Sequence, residues 1–75
     1  MISISIYDQS RNVEIDVMLQ VEQTIADALK IMQEKGFVMT SDVMYVRLGN
    51  TNCLKNTKLT FQDAEIYTGE KVIIE

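Results

Sequence analysis

Cys53 is the single thiol in the chain, and histidine is absent. A cysteine becomes a nucleophile where positive charge or a helix N-terminus lowers its pKa. Lys55 stands close by, but a cysteine beside Leu54 in a short strand reads as a small packing residue. One cysteine cannot form an internal disulfide, a four-thiolate zinc site or a two-iron cluster. The lack of histidine removes the commonest metal ligand and general base. Asp8, Glu14 and Asp16 lie near a hairpin signal, where a cation site is conceivable. The turn separates Asp8 from the other two, and alternation puts Glu14 and Asp16 together on a solvent-facing side, so a solvated charged face is expected. Methionine is an adaptable side chain at binding surfaces. Met32 and Met44 fall in phase with core positions, leaving Met18 and Met39 as surface candidates. The expectation is a protein with no catalytic residue, no metal and no cofactor.

Charge narrows the partners further. Eleven acidic and seven basic residues give a net charge of −4. Arg11, Lys30, Lys35, Arg47, Lys55, Lys58 and Lys71 are scattered, whereas phosphate-backbone binding needs a basic stripe, so no nucleic-acid partner is expected. Met1 to Ile6 alternates Ile with Ser and lacks a basic stretch before an apolar run, which marks a strand and not a signal peptide. No segment approaches the roughly 20 apolar residues of a membrane helix. These features predict a cytoplasmic protein without direct membrane insertion, and a free thiol suits a reducing compartment. A chain of 75 residues with 47% hydrophobic and 24% charged residues supports one small core, so residues 1–75 are read as a single domain.

The elements follow from periodicity. Ile2, Ile4 and Ile6 alternate with Ser3, Ser5 and Tyr7, the period of a strand with one dry face. Turn formers over 8–12 lead into Val13, Ile15, Val17 and Leu19, which alternate with polar residues and complete a hairpin. Thr24, followed by Asp27, has the spacing of a helix cap. Ile25, Ala28, Leu29 and Met32 then repeat at helical spacing, with Lys30, Gln33 and Glu34 opposite. Gly36 marks the stop, so a helix is predicted over 25–35. Phe37, Val38 and Met39 are expected to close one end of the core, and the conformation of 36–43 stays open. Met44, Val46 and Leu48 predict a third strand with Met44 facing inward; Cys53 and Leu54 predict a short fourth. Thr60 and Asp63 repeat the cap pattern before a single helical turn at 61–64, and Val72, Ile73 and Ile74 form the last strand.

A sheet with one apolar face needs a cover, and the amphipathic helix supplies it, giving a two-layer α+β domain. The crossover containing the helix allows the first and last strands to lie side by side and parallel. This is the β-grasp arrangement, a mixed sheet of four to five strands covered by one helix.

Leu19 to Gly36, with Val21, Thr24, Ile25, Ala28 and Gly36, resembles the second-strand and helix region of ubiquitin-like proteins. The tail, with Phe61, Asp63, Ile66, Gly69, Glu70, Val72 and Ile74, is similar to the ending of the small bacterial ubiquitin-like proteins of the YukD/EsaB family, encoded with type VII secretion systems of Gram-positive bacteria. The run 36–43 departs from ubiquitin in carrying no Pro and reading as a longer link. The resemblance implies a non-enzymatic accessory or regulatory protein, monomeric or weakly dimeric, whose partner is a component of secretion machinery or a regulator. Two alternatives stand beside it. One is a structural subunit of a larger complex. The other is a sulfur carrier or protein modifier acting through its C-terminus, which is disfavoured because Val72 to Glu75 offers no Gly-Gly tail.

Residues out of phase with the core line the face opposite the helix: Ser3, Ser5, Tyr7, Tyr45, Arg47 and Ile73. An Ile flanked by Tyr and Arg is similar to the apolar-plus-basic patch that ubiquitin offers its partners, and Tyr and Arg are enriched at binding hot spots. Tyr45, Arg47 and Ile73 are the expected partner-binding residues.

Overall fold

The alternation in the first segments becomes a hairpin of β1 (Ile2–Asp8) and β2 (Val13–Leu19) in the computed structural model, which describes residues 1–37 and 43–74. Ile2, Ile4 and Ile6 are buried while β2 is half-buried on the same side, as a sheet with one dry face requires. The hairpin turns at Asp8, whose Oδ1 accepts from the Ser10 N–H (3.2 Å) and hydroxyl (2.7 Å), and closes through Asn12 at φ 55°. Asn is among the few side chains that tolerate this left-handed backbone.

The helix α1 spans Ile25–Glu34. Thr24 is its N-cap, with Oγ1 accepting from the Asp27 N–H (3.1 Å). The helix ends at Gly36, φ 80°, in a Schellman motif: Gly36 N–H donates to Gln33 O (3.0 Å) and Phe37 N–H to Met32 O (2.8 Å). Ile25, Ala28, Leu29 and Met32 are the buried face, as the spacing predicts.

Then follow β3 (Tyr45–Leu48), β4 (Leu54–Asn56) and β5 (Lys71–Ile74). The sheet has five strands in the order β2-β1-β5-β3-β4, with β1 and β5 parallel and the other neighbours antiparallel. Between β4 and β5 the chain makes the predicted helical turn, in which the Asp63 N–H donates to Thr60 Oγ1 (3.0 Å) and the Ala64 N–H to Thr60 O (2.9 Å). Phe61, Ala64 and Ile66 from this segment complete the core with Ile4, Ile6, Leu29, Val46 and Val72.

Three expectations fail. Met44 is 70% exposed. Strand β3 begins only at Tyr45, and the chain bends at Met44, whose carbonyl is tied to the Thr57 N–H (3.0 Å); the alternation therefore does not extend back to it, and Val43 packs against the core instead. Phe37 is 46% exposed, because the Schellman turn leaves it beside the helix end and not beneath the sheet; Val38 and Met39 lie outside the described residues. Cys53 is exposed and precedes β4. The turn that leaves β3 consumes it: Leu48 N–H donates to Cys53 O (2.9 Å), and Asn52 sits at φ 59°.

Candidate functional site

The face opposite α1 is built by strand register. Arg47 of β3 pairs with Leu54 of β4 on one side and with Ile73 of β5 on the other. Ile73 is in turn opposite Tyr7 of β1, and Tyr7 opposite Glu14 of β2. Directly opposed residues point to the same side of a sheet, so Leu54, Arg47, Ile73, Tyr7 and Glu14 form one continuous row across all five strands. A residue's same-face neighbour along a strand lies two positions away, which adds Tyr45 beside Arg47 and Lys71 beside Ile73. All three residues expected to bind a partner thus share this face.

The row has two halves of different chemistry. Around β1 and β2 the polar groups are already joined to one another. Lys71 Nζ lies 2.9 Å from Glu14 Oε1 and 5.7 Å from the centre of the Tyr7 ring, within cation–π range. The Tyr7 hydroxyl donates to Asn12 Oδ1 (2.5 Å), and the Ser5 hydroxyl to Asp16 Oδ1 (2.6 Å). The hydrogen bond and charge of Glu14 raise the pKa of Lys71 above the ordinary 10.5, fixing its positive charge.

Around β3, β4 and β5 the face is more apolar. Leu54 is 56% and Tyr45 51% exposed, while Ile73 and Arg47 are half-buried. Ile73 is less open than a free surface side chain because Tyr7 and Arg47 flank it in register. Arg47 is held in place by Asn52, whose Oδ1 accepts from the guanidinium (2.9 Å). Asn52 itself holds the left-handed conformation of the turn, φ 59°.

Two members of the face are absent from the sequence reading. Lys71 was recoverable by extending the final alternation back one residue from Val72, which puts it in phase with Ile73. Leu54 was hidden because β4 is too short for an alternating signal; its face is decided by pairing with Arg47. Among the described residues no group of three or more Cys, Asp or Glu side chains converges as a metal site, and no helix is long and apolar enough to cross a membrane.

With this geometry in view, the solved structures are informative. The chain is similar to a protein designed on the basis of ubiquitin, with a TM-score of 0.71 at 16% identity over 99% of this chain and 85% of that one. It is also similar to the C-terminal ubiquitin-like domain of mouse tubulin-specific chaperone e, with a TM-score of 0.70 at 10% identity over 96% of this chain and 81% of that one. Caldiarchaeum subterraneum ubiquitin gives a TM-score of 0.67 at 15% identity, over 96% and 88% of the two chains. The fold is the ubiquitin-like β-grasp. No protein-family model matches the chain, and no curated protein matches it in sequence.

Proposed function

We propose that this chain is a non-enzymatic ubiquitin-like accessory or regulatory protein, similar to the YukD/EsaB family, that works in the bacterial cytoplasm by docking onto type VII secretion machinery or a regulator of it. The observation that supports a docking role is the in-register row Leu54–Arg47–Ile73, flanked by Tyr45. It combines an aromatic, a guanidinium and two aliphatic side chains on a rigid sheet. Tyr and Arg are enriched among the few residues that dominate interface energetics, and the aliphatic neighbours help to exclude water around them. The polar half around Lys71 and Glu14 would form a rim. The family assignment is supported by the tail motif Phe61, Asp63, Ile66, Gly69 and Glu70, in which Asp63 closes the Thr60 cap, Phe61 and Ile66 enter the core, and Gly69 adopts φ 92°.

The test is a pull-down from the host with the wild-type chain and the Tyr45→Ala, Ile73→Ala double variant, followed by identification of the recovered proteins. The double variant is expected to keep its fold and to lose a component of the secretion system. Undiminished recovery overturns the site, and recovery of unrelated partners overturns the secretion role.

A further inference from the structure

A cavity lies at the β3–β4 edge, on the other side of the sheet from the Tyr45–Ile73 patch, and strand register fixes one of its walls. Lys55 pairs with Val46, and the Leu48 N–H donates to Cys53 O (2.9 Å). Val46 and Leu48 belong to the core, so Lys55 and Cys53 fall on the core side, while Leu54 between them faces the docking row. The facing wall is Ala64, Glu65 and Tyr67 at the end of the helical turn, with Glu70 just before β5. Ala64 brings no more than a methyl group to this wall, and about 260 Å³ stays open. Sites for drug-sized ligands hold about 300–1,000 Å³, so this one is of a size for a single side chain or a free amino acid.

Two carboxylates of the lining have unmet hydrogen-bonding capacity. Glu70 Oε1 accepts one long bond from the Asn50 side-chain amide (3.4 Å), and its Oε2 is buried with no hydrogen-bond partner among the described residues. A buried carboxylate oxygen without a donor destabilises the fold, so its presence calls for a donor from outside the chain. The lining itself supplies none: the Cys53 thiol donates to Thr51 O (3.8 Å), and Lys55 does not reach Oε2. Glu65 is exposed and makes no ion pair among the described residues. It also sits at φ 59°, a left-handed backbone that glycine or asparagine adopts more readily. Two residues on, Tyr67 leaves 63% of its surface in water.

We propose that this cavity binds the guanidinium group of an arginine, which donates to Glu70 and Glu65 and lies against the Tyr67 ring. Two carboxylates against the one ammonium of Lys55 leave the lining net negative, so it selects a cation. A guanidinium fits better than an ammonium. Its planar fork of donors bridges two acceptors, its weaker hydration lowers the cost of entry, and its flat face stacks on an aromatic ring. Leu48 and Ala64 offer apolar surface to the methylene stem behind it. The arginine can be part of a partner chain or free in solution, and Lys55 separates the two sources. A free arginine brings a carboxylate for the Lys55 ammonium, whereas an arginine inside a chain brings none.

The experiment uses the full chain, ¹⁵N-labelled, titrated with free L-arginine, with N-acetyl-arginine amide, and with N-acetyl-citrulline amide, which keeps the shape of the side chain without its charge. Both arginine probes are expected to shift the amide resonances of Cys53, Glu65, Tyr67 and Glu70 saturably, and the citrulline probe to bind roughly tenfold more weakly. Glu70→Gln is expected to weaken arginine binding roughly tenfold. Glu65→Asn is expected to weaken it too while raising the thermal midpoint, a combination that a purely structural role for Glu65 does not give. Free arginine binding more tightly than the amide, with the difference lost in Lys55→Met, supports the proposal with the free amino acid as guest; equal binding of the two supports it with an arginine inside a chain. Absence of saturable shifts, citrulline binding as tightly as arginine, or an affinity unmoved by Glu70→Gln or by Glu65→Asn overturns the proposal. None of these outcomes depends on the Tyr45–Ile73 patch.

Discussion

Thr24 and Thr60 lie opposite each other in an isolated antiparallel bridge, and each caps the turn that follows it through the same side-chain bond. The bridge is reinforced on both sides: Ile25 N–H donates to Leu59 O (3.0 Å) and Phe61 N–H to Gln23 O (3.2 Å). The start of α1 and the start of the 61–64 turn are therefore one structural unit, although far apart in sequence. Ile25 and Phe61, the first residues after the two caps, are both fully buried. Thr24→Ala and Thr60→Ala are each expected to lower stability by about 1 kcal/mol. Because the two share a bridge, the double variant should depart from additivity in a double-mutant cycle measured by urea unfolding. Strict additivity would show that the caps act independently.

Methionines supply a second contrast. Met32 is 4% exposed and belongs to the core, so Met32→Ala is expected to cost about 2–5 kcal/mol. Met44→Ala, at a position in solvent, should stay within about 0.5 kcal/mol. Denaturant midpoints of the two variants check this directly, and a large loss for Met44→Ala would place that side chain in the core after all.

Alkaline titration tests the Lys71–Glu14 pair. The folded-state pKa of Lys71 is raised by its hydrogen bond to Glu14, so the pair's contribution to stability is full below the unfolded value of 10.5. It is lost as pH rises through the higher folded value. Glu14→Gln is expected to return the Lys71 pKa, followed by NMR of the side chain, toward 10.5 and to remove this alkaline loss. An unchanged titration would show that Glu14 is not the cause.

Leu54 tests the composition of the docking row. Leu54→Ala removes an exposed side chain and should leave stability within about 0.5 kcal/mol. It is expected to weaken the partner that Tyr45→Ala, Ile73→Ala loses by roughly fivefold or more, measured by calorimetry with that partner. Unchanged affinity would confine the site to Tyr45, Arg47 and Ile73.

The residues that spoke clearly in the sequence were those whose pattern is local. Ile2 to Ile6 and Val13 to Leu19 alternate without interruption, and Thr24, Asp27 and Gly36 punctuate the helix at both ends; with these fixed, the parallel pairing of the first and last strands followed from the crossover. What the sequence hid depends on bonds between distant segments. Met44 looks like a strand residue until Thr57 holds its carbonyl and bends the chain. Cys53 looks like a packing residue until the Leu48–Cys53 bond places it in the turn. Leu54 joins the open face only through register with β3, which its own three-residue strand does not announce, whereas Lys71 follows from carrying the alternation of β5 back from Ile73.

The parallel pairing of β1 with β5 has a mechanical meaning. Because the strands run in the same direction, pulling on the start of β1 and the end of β5 drags them past each other lengthwise. The four register pairs from Ser5–Lys71 to Asp8–Ile74 then carry the load together and do not open one after another. A tether at either end would meet a domain that resists being drawn out, so force arriving along the chain would be passed on to whatever the sheet face is holding.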